Sequence, residues 1–157
     1  MTGVRLATTA PVRSVHPPAL VMRVVNPVTR ALARSRIGAR FGSLTVLEFE
    51  GRRSGKHYAI PVVAHEYDGV SVVFTDARWY ANFDGGAPVV VRRAGRTSKG
   101  VGRLVSDSAA AAAGLRSVLA GLKSPRGVGL AIDAGHVPTD AELSCARHMI
   151  RLEVDPA

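Results

Sequence analysis

From residue 43 onward, apolar residues recur with the two-residue period that is typical of β-strands. Six such segments are predicted, at 44–49, 57–65, 70–75, 89–93, 97–105 and 149–154. Turn signals at 67–69 and 94–96 join neighbouring segments as hairpins. Strands linked mainly by hairpins favour a small closed or split antiparallel barrel, which leaves few strand edges exposed. The fold class predicted is therefore mainly β (α+β), a six-stranded antiparallel split barrel with short flanking helices.

Helical patterns or helix caps mark four short segments, at 27–36, 79–83, 109–122 and 140–145. Asn26 followed by proline is a typical helix start. Asp107 or Ser108 is suited to cap the third segment, whose apolar residues form one stripe. Thr139 or Asp140 has the same role before the fourth.

Proline and glycine modify two of the predicted strands. Pro61 has no backbone N–H to give to a ladder, so its strand is expected to be an edge there or to carry a bulge. Gly100 and Gly102 are expected to allow the strong bend of a barrel corner. The segment 123–135 is predicted to be a loop with one short apolar stretch.

The length of 157 residues predicts one domain. Residues 1–17 lack periodicity and are expected to form a mobile N-terminal arm, with a single split-barrel domain over 18–157. No apolar run approaches the roughly 20 residues that span a bilayer, and no signal peptide is predicted. The single Cys145 allows no intrachain disulfide. A cytoplasmic location is the expectation.

The net charge of +9 is concentrated in the first third of the chain, since residues 1–56 carry +8 of it. Such a segment suits nucleic acid, anionic lipid or a phosphorylated small molecule. An aromatic content of 5% disfavours a nucleic-acid partner, because stacking platforms are scarce. The helix predicted to end near residue 36 has a basic amphipathic face with Arg30, Arg34 and Arg36. This face could contact an anionic membrane, but packing of the helix against the barrel is the favoured interpretation.

Several kinds of active site are disfavoured. The five histidines lie far apart with no second cysteine, so no metal site is predicted, although a lone axial histidine for haem stays open. No GxSxG, GxGxxG or Walker motif is present, and Cys145 is interpreted as a small buried hydrophobe. Redox chemistry would therefore depend on a cofactor.

The turn Gly51-Arg52-Arg53-Ser54-Gly55-Lys56 is the strongest candidate site. Two guanidiniums, an ammonium, a hydroxyl and glycine-freed backbone N–H groups within six residues suit a phosphate or a carboxylate. A solvated hairpin is the alternative.

A longer pattern joins this turn to later residues. It consists of Gly51-Arg52-Arg53-Ser54-Gly55, then Pro61, then Asp68-Gly69, then Trp79-Tyr80 with Asn82 before a proline-containing turn. The order and spacing resemble those of the deazaflavin-dependent nitroreductase family, over about residues 22–107. That family has the FMN-binding split β-barrel fold of flavin reductases.

The resemblance implies a reductase that binds deazaflavin (coenzyme F420) or FMN and passes hydride to a quinone, a nitro compound or an activated enone. In the family the basic turn holds the anionic cofactor, the proline approaches the ring system, and the W-Y-x-N segment lines the pocket. Carried over by position, the cofactor-binding residues implied by the resemblance are Arg53, Pro61, Trp79, Tyr80 and Asn82. The predicted set of cofactor-binding residues also includes Arg52, Ser54, Lys56, Tyr58 and Arg78. No catalytic residue is implied, and both a homodimer and a monomer stay open.

Two departures from the family pattern weaken the expected grip on a long acidic cofactor tail. His57 and Tyr58 stand where members that use deazaflavin have Pro-Arg. A Ser-Lys-Gly-Gly-type loop is replaced by residues 75–78, with Asp76 and Arg78. The alternatives are a binding protein without turnover on the same barrel, holding flavin, haem or lipid, and a basic module for nucleic acid or membrane.

Overall fold

Six antiparallel strands close into a barrel in the computed structural model, which describes residues 10–16 and 44–156. The strands in these ranges are β1 (Val12–Ser14), β2 (Leu44–Glu50), β3 (His57–Tyr67), β4 (Val70–Thr75), β5 (Ala87–Arg93), β6 (Arg96–Leu104), β7 (Leu130–Ile132) and β8 (His148–Val154). The helices are α1 (Ser108–Gly121), α2 (Asp140–Ala146) and two 3₁₀ helices (Arg78–Phe83 and Pro125–Val128). The barrel order is β2-β3-β4-β8-β6-β5, with β5 paired to β2. The predicted six-stranded antiparallel barrel is confirmed.

Strand alternation divides the apolar residues into two layers. Inward residues such as Leu47, Phe49 and Ile150 fill the barrel. Outward residues of β4 and β8, including Val72 and Met149, form a second core beneath α1, whose Leu115 is buried against them. The amphipathic stripe predicted for α1 therefore packs on the outside of the barrel.

Pro61 lies where β3 has a neighbour on one side only. The β2–β3 register runs without interruption from Leu44↔Val63 to Glu50↔His57, so there is no bulge. On the other side, pairing with β4 begins only at Ala64. The missing N–H of proline is therefore tolerated, and the expectation of an edge is confirmed.

Part of the expected N-terminal arm is structured. β1 pairs with β7 from Val12↔Ile132 to Ser14↔Leu130, although neither three-residue segment was predicted to be a strand. Each is too short to be recognised from its own sequence, because the pairing depends on a partner far along the chain. Residues 1–9 and 17–43 lie outside the described ranges, and with them the helix predicted over 27–36 and its arginines.

A buried arginine fastens β1 to the barrel. Arg147 is only 4% exposed. Its guanidinium donates to the carbonyl oxygen of Val128 at 3.0 Å and to Ser14 Oγ at 2.7 Å, and it lies 2.9 Å from Asp76 Oδ2. Further carbonyl groups of Gly129 and Ala146 accept from the same side chain. A buried charge is tolerated here because each of the three guanidinium nitrogens has an acceptor and a carboxylate lies beside it.

Cys145 is exposed, so its interpretation as a buried hydrophobe is wrong. Leu143 is the buried residue of α2, and a position two residues further along a helix points to the opposite side. In the described ranges, no helix is long and apolar enough to cross a membrane.

The close contact between β6 and β8 generates the first prediction. A Cβ atom on Gly100 would overlap the carbonyl oxygen of Glu153 and lie 2.6 Å from Cα of Val154. Because backbone atoms cannot move aside cheaply, Gly100→Ala is expected to lower the free energy of unfolding by about 1–3 kcal/mol. Urea denaturation checks this, with Gly121→Ala as the control, since a Cβ there meets nothing within 4 Å. Equal stability of the two variants would contradict the close approach of β6 to β8 at Gly100.

A second prediction concerns acid stability. Burial acts to raise the pKa of Asp76, but hydrogen bonds from His16 and Ser14 and the charge of Arg147 outweigh it and hold the pKa below the usual 3.8. The stabilisation is therefore complete above that unfolded-state value and is lost as the pH falls through the folded-state value. Wild type should exceed Asp76→Asn in stability at pH 7 and lose that advantage below about pH 4.

The measurement is urea unfolding between pH 7 and pH 3. Asp155→Asn is the control, because this exposed carboxylate makes no ion pair with the described residues. A difference between wild type and Asp76→Asn that stays constant with pH would refute the assignment.

Candidate functional site

The cationic turn between β2 and β3 is tightly closed by its own backbone. The Gly51 N–H donates to the Lys56 carbonyl oxygen, and the Gly55 N–H donates to the Gly51 carbonyl oxygen, both at 2.8 Å. Gly55 has φ of 62°, in the left-handed region that favours glycine. The Ser54 hydroxyl accepts from the Lys56 N–H at 3.2 Å. These bonds fix the backbone while the side chains of residues 52–56 stay exposed.

Asn82 joins this turn to the first 3₁₀ helix. Its Oδ1 accepts from the backbone N–H of Arg52 at 2.8 Å, and its Nδ2 donates to the carbonyl oxygen of Trp79 at 2.8 Å. Both ends of the amide therefore already have protein partners. Asn82 positions Arg52 and Trp79 relative to each other, a role that the sequence did not suggest.

Between the turn and the helix lies a cleft of about 900 Å³, which we call the cationic cleft. Its lining consists of Gly51, Arg52, Arg53, Ser54, Tyr58, Arg78, Tyr80, Ala81, Asn82, Asp84 and Leu104. Three of these residues are arginines and one is an aspartate, so the described lining carries a net charge of +2.

The three guanidiniums differ in their partners. Arg52 Nη1 donates to the carbonyl oxygen of Asp84 at 3.2 Å and lies 3.9 Å from its carboxylate. The side chains of Arg53 and Arg78 make no hydrogen bond or ion pair with the described residues. Two cations are therefore available to an anion, and the third is already engaged.

Two tyrosines form flat walls that are supported from behind. The Tyr58 ring stacks on Phe49, with centroids 5.4 Å apart and an interplanar angle of 19°. The Tyr80 ring stacks on His148 at 3.6 Å and 24°. Lys56 Nζ lies 5.9 Å from the centre of the Tyr58 ring. The walls are preformed, which lowers the entropy cost of binding a planar group.

A second cleft, of about 350 Å³, lies on the other side of the same 3₁₀ helix, and we call it the tryptophan cleft. Its lining consists of Val15, His16, residues 60–63, His65, residues 73–76, Trp79, residues 126–129 and Arg147. Trp79 packs against Phe49 and Phe83 with ring centroids 5.9 and 6.0 Å away. Because the four consecutive residues from Ile60 to Val63 line the cleft, the edge of β3 that β4 does not cover forms one wall.

Polar groups close one end of the tryptophan cleft. His16 Nε2 lies 2.9 Å from Asp76 Oδ1, and Arg147 holds the other oxygen of that carboxylate. Burial lowers the pKa of His65 below 6.5, although a hydrogen bond with the backbone of Gly127 acts in the opposite direction. His65 is therefore a neutral imidazole at pH 7.

Seven of the ten predicted cofactor-binding residues meet in the cationic cleft: Arg52, Arg53, Ser54, Tyr58, Arg78, Tyr80 and Asn82. Pro61 and Trp79 lie in the tryptophan cleft instead. Lys56 lines neither.

Asp84, His65 and Arg147 were not predicted to be parts of these clefts, and Asp76 was named only as a residue of the loop that departs from the family pattern. Asp84 had a usable signal, since it lies two residues after Asn82. His65 and Arg147 come together only through the folding of distant strands.

Acidic residues line a further cleft, of about 370 Å³, on the other side of β2. Its ionisable residues are Glu48, Glu50, His57 and Lys99, and none of them was predicted to bind a cofactor. Two carboxylates oppose an anionic ligand there. Over the described ranges, no group of three His, Cys, Asp or Glu side chains is placed to hold a metal ion.

No protein-family model and no curated protein matches the chain, so the family resemblance stays a prediction. A solved structure similar to it is the general stress FMN/FAD-binding protein of Xanthomonas citri, at 17% identity over 83% of this chain and 85% of that chain, with a TM-score of 0.46. The FAD- and haem-binding protein of Mycobacterium smegmatis has 16% identity over 82% of this chain and 65% of its own, with a TM-score of 0.46. Because both TM-scores are below 0.5, neither structure supports a ligand for this chain. Support for a ligand comes from the residues of the two clefts.

The bridge made by Asn82 generates the third prediction. Asn82→Ala removes both hydrogen bonds and should loosen the turn, so that trypsin cleaves faster after Arg52, Arg53 and Lys56. Cleavage sites are followed by mass spectrometry in time-resolved digests. Cleavage after Arg116, which Asp140 holds at 2.6 Å, is the internal control. If cleavage accelerates equally at all of these sites, the whole domain has been destabilised and the bridge has no local role.

Proposed function

We propose that this protein binds a planar redox cofactor with an anionic tail, FMN or a deazaflavin, across the two clefts, and is an oxidoreductase that transfers hydride to a small organic acceptor. Quinones, nitro compounds and activated enones are the acceptor classes. The proposal follows the predicted family resemblance and is supported by the way in which the cleft residues are arranged.

The observation that carries it is the sharing of two elements by the two clefts. In the first 3₁₀ helix, Arg78 and Tyr80 line the cationic cleft and Trp79 lines the tryptophan cleft. In β3, Tyr58 lines the former and Pro61 the latter. One molecule can therefore place its anionic group in the cationic cleft and its flat ring in the tryptophan cleft, on either side of the 3₁₀ helix.

The chemistry of the donors fits such a cofactor. Arg53 and Arg78, which have no partner among the described residues, can pair with a phosphate. The aromatic walls and the β3 edge suit a heterocycle, since the edge offers backbone N–H and C=O groups to polar ring atoms. Guanidiniums for the phosphate, aromatic rings for the heterocycle and backbone polar groups for its edge thus all lie near the first 3₁₀ helix.

When bound, a flavin or deazaflavin supplies the hydride-transfer chemistry, and the protein's part is binding, orientation and electrostatics. Arg53 and Arg78 would hold the tail, while Trp79 and Pro61 would set the position of the ring. The neutral His65 lines the same cleft and can accept a hydrogen bond there. The half-buried tryptophan side chain limits the access of water to that side of the cleft.

The fourth prediction tests the anion contacts. Arg53→Gln combined with Arg78→Gln should weaken FMN binding about 10- to 100-fold, because two charge-assisted contacts to phosphate are lost. Flavin fluorescence quenching in titrations of the purified protein measures the affinity. Arg96→Gln combined with Lys99→Gln removes the same charge from β6, away from both clefts, and should leave affinity nearly unchanged.

Titrations of wild type with FMN, deazaflavin and haem, followed by assays with a nitro compound and a quinone, decide between the candidate functions. Failure to bind FMN or deazaflavin at micromolar concentration would sink the proposal. Binding without turnover would leave a flavin carrier on the same barrel, and binding of haem alone would indicate a haem protein.

A further inference from the structure

We infer that Asp84 restricts the cationic cleft to a ligand group with two negative charges, so that a phosphate monoester such as that of FMN is preferred to a longer, more highly charged tail. The inference rests on the proposed function and specifies its ligand. It makes Asp84 a specificity-determining residue of the cleft.

The described residues that line the cationic cleft carry a surplus of two positive charges. Arg52, Arg53 and Arg78 contribute three positive charges and Asp84 one negative charge. Because Arg52 is the guanidinium that Asp84 holds, the two remaining charges belong to Arg53 and Arg78. A phosphate monoester dianion neutralises that pair, and a further anionic group would face the Asp84 carboxylate.

The backbone around Asp84 is held in place by hydrogen bonds. It follows the first 3₁₀ helix, and its N–H donates to the carbonyl oxygen of Ala81 at 3.4 Å. The next residue, Gly85, accepts from Arg103 Nη1 at 3.4 Å. The backbone that carries the carboxylate is therefore hydrogen-bonded on both sides, and the carboxylate lies 3.9 Å from Arg52 Nη1.

The connection from β4 to the first 3₁₀ helix is short, and its polar groups are already bonded. It contains only Asp76 and Ala77. The Ala77 N–H donates to Thr75 Oγ1 at 3.1 Å, and the Asp76 carboxylate is occupied by Arg147 and His16. This connection therefore offers no cation and no free N–H group at Ala77 to a second anionic group.

The experiment compares three probes on wild-type protein: riboflavin, which has no phosphate; FMN; and the deazaflavin coenzyme with its polyanionic tail. FMN should bind about 10- to 100-fold more tightly than riboflavin, and the longer tail should give the deazaflavin no gain over FMN. Asp84→Asn removes the carboxylate 3.9 Å from Arg52 Nη1 and keeps the carbonyl oxygen that accepts from it. With that negative charge gone, the affinity for deazaflavin relative to FMN should rise about three- to fivefold.

Glu153→Gln is the matched control, because it removes one negative charge at an exposed carboxylate paired with Arg103 at 3.4 Å, outside both clefts. That variant should leave the ratio of the two affinities unchanged. The inference is overturned if riboflavin and FMN bind equally, if wild type prefers the deazaflavin, or if Asp84→Asn and Glu153→Gln change the ratio equally. In each case a flavin still binds and the proposed function stands. Absence of binding by all three probes would remove the proposed function itself.

Discussion

The barrel depends on how closely β6 approaches β8. At Gly100 and Gly102 the inner face of β6 has no side chains, so the backbone of β8 and the ring of Phe83 occupy that space. Because β6 pairs with β8, β5 pairs with β6 and β5 also pairs with β2, this contact completes the barrel. Because Phe83 ends the first 3₁₀ helix, the same contact holds that helix at the end of the barrel where both clefts open.

The helix then connects the two halves of the candidate site. Asn82 joins it to the cationic turn. Arg78 and residues 80–82 of the helix line the cationic cleft, whereas Trp79 lines the tryptophan cleft. Arg147 supports the far side of the tryptophan cleft by joining β1, the second 3₁₀ helix and Asp76. The polar residues around the clefts thus divide into those that hold the backbone and those, such as Arg53 and Arg78, that stay available to a ligand.

Much of the barrel was predictable from local sequence. The two-residue period located all six barrel strands, and Pro61 marked the free edge of β3. The short strands β1 and β7 were missed because three residues carry no periodicity of their own. Cys145 was misjudged because the side of α2 that is buried is set by packing and not by residue type.

For this protein, sequence alone determined the strand order along the chain, the alternation that builds the core, and the cationic turn followed by an aromatic segment. Each of these depends on neighbours a few residues apart, which is the range over which periodicity and turn chemistry act. Tertiary structure decided that Trp79 and Pro61 face a different cleft from the arginines, that Asn82 holds backbone, and that Asp84 engages Arg52. Those facts depend on contacts between residues far apart in the chain, such as Arg52 and Asp84 at 32 positions and His16 and Asp76 at 60 positions, which only the folded chain brings together.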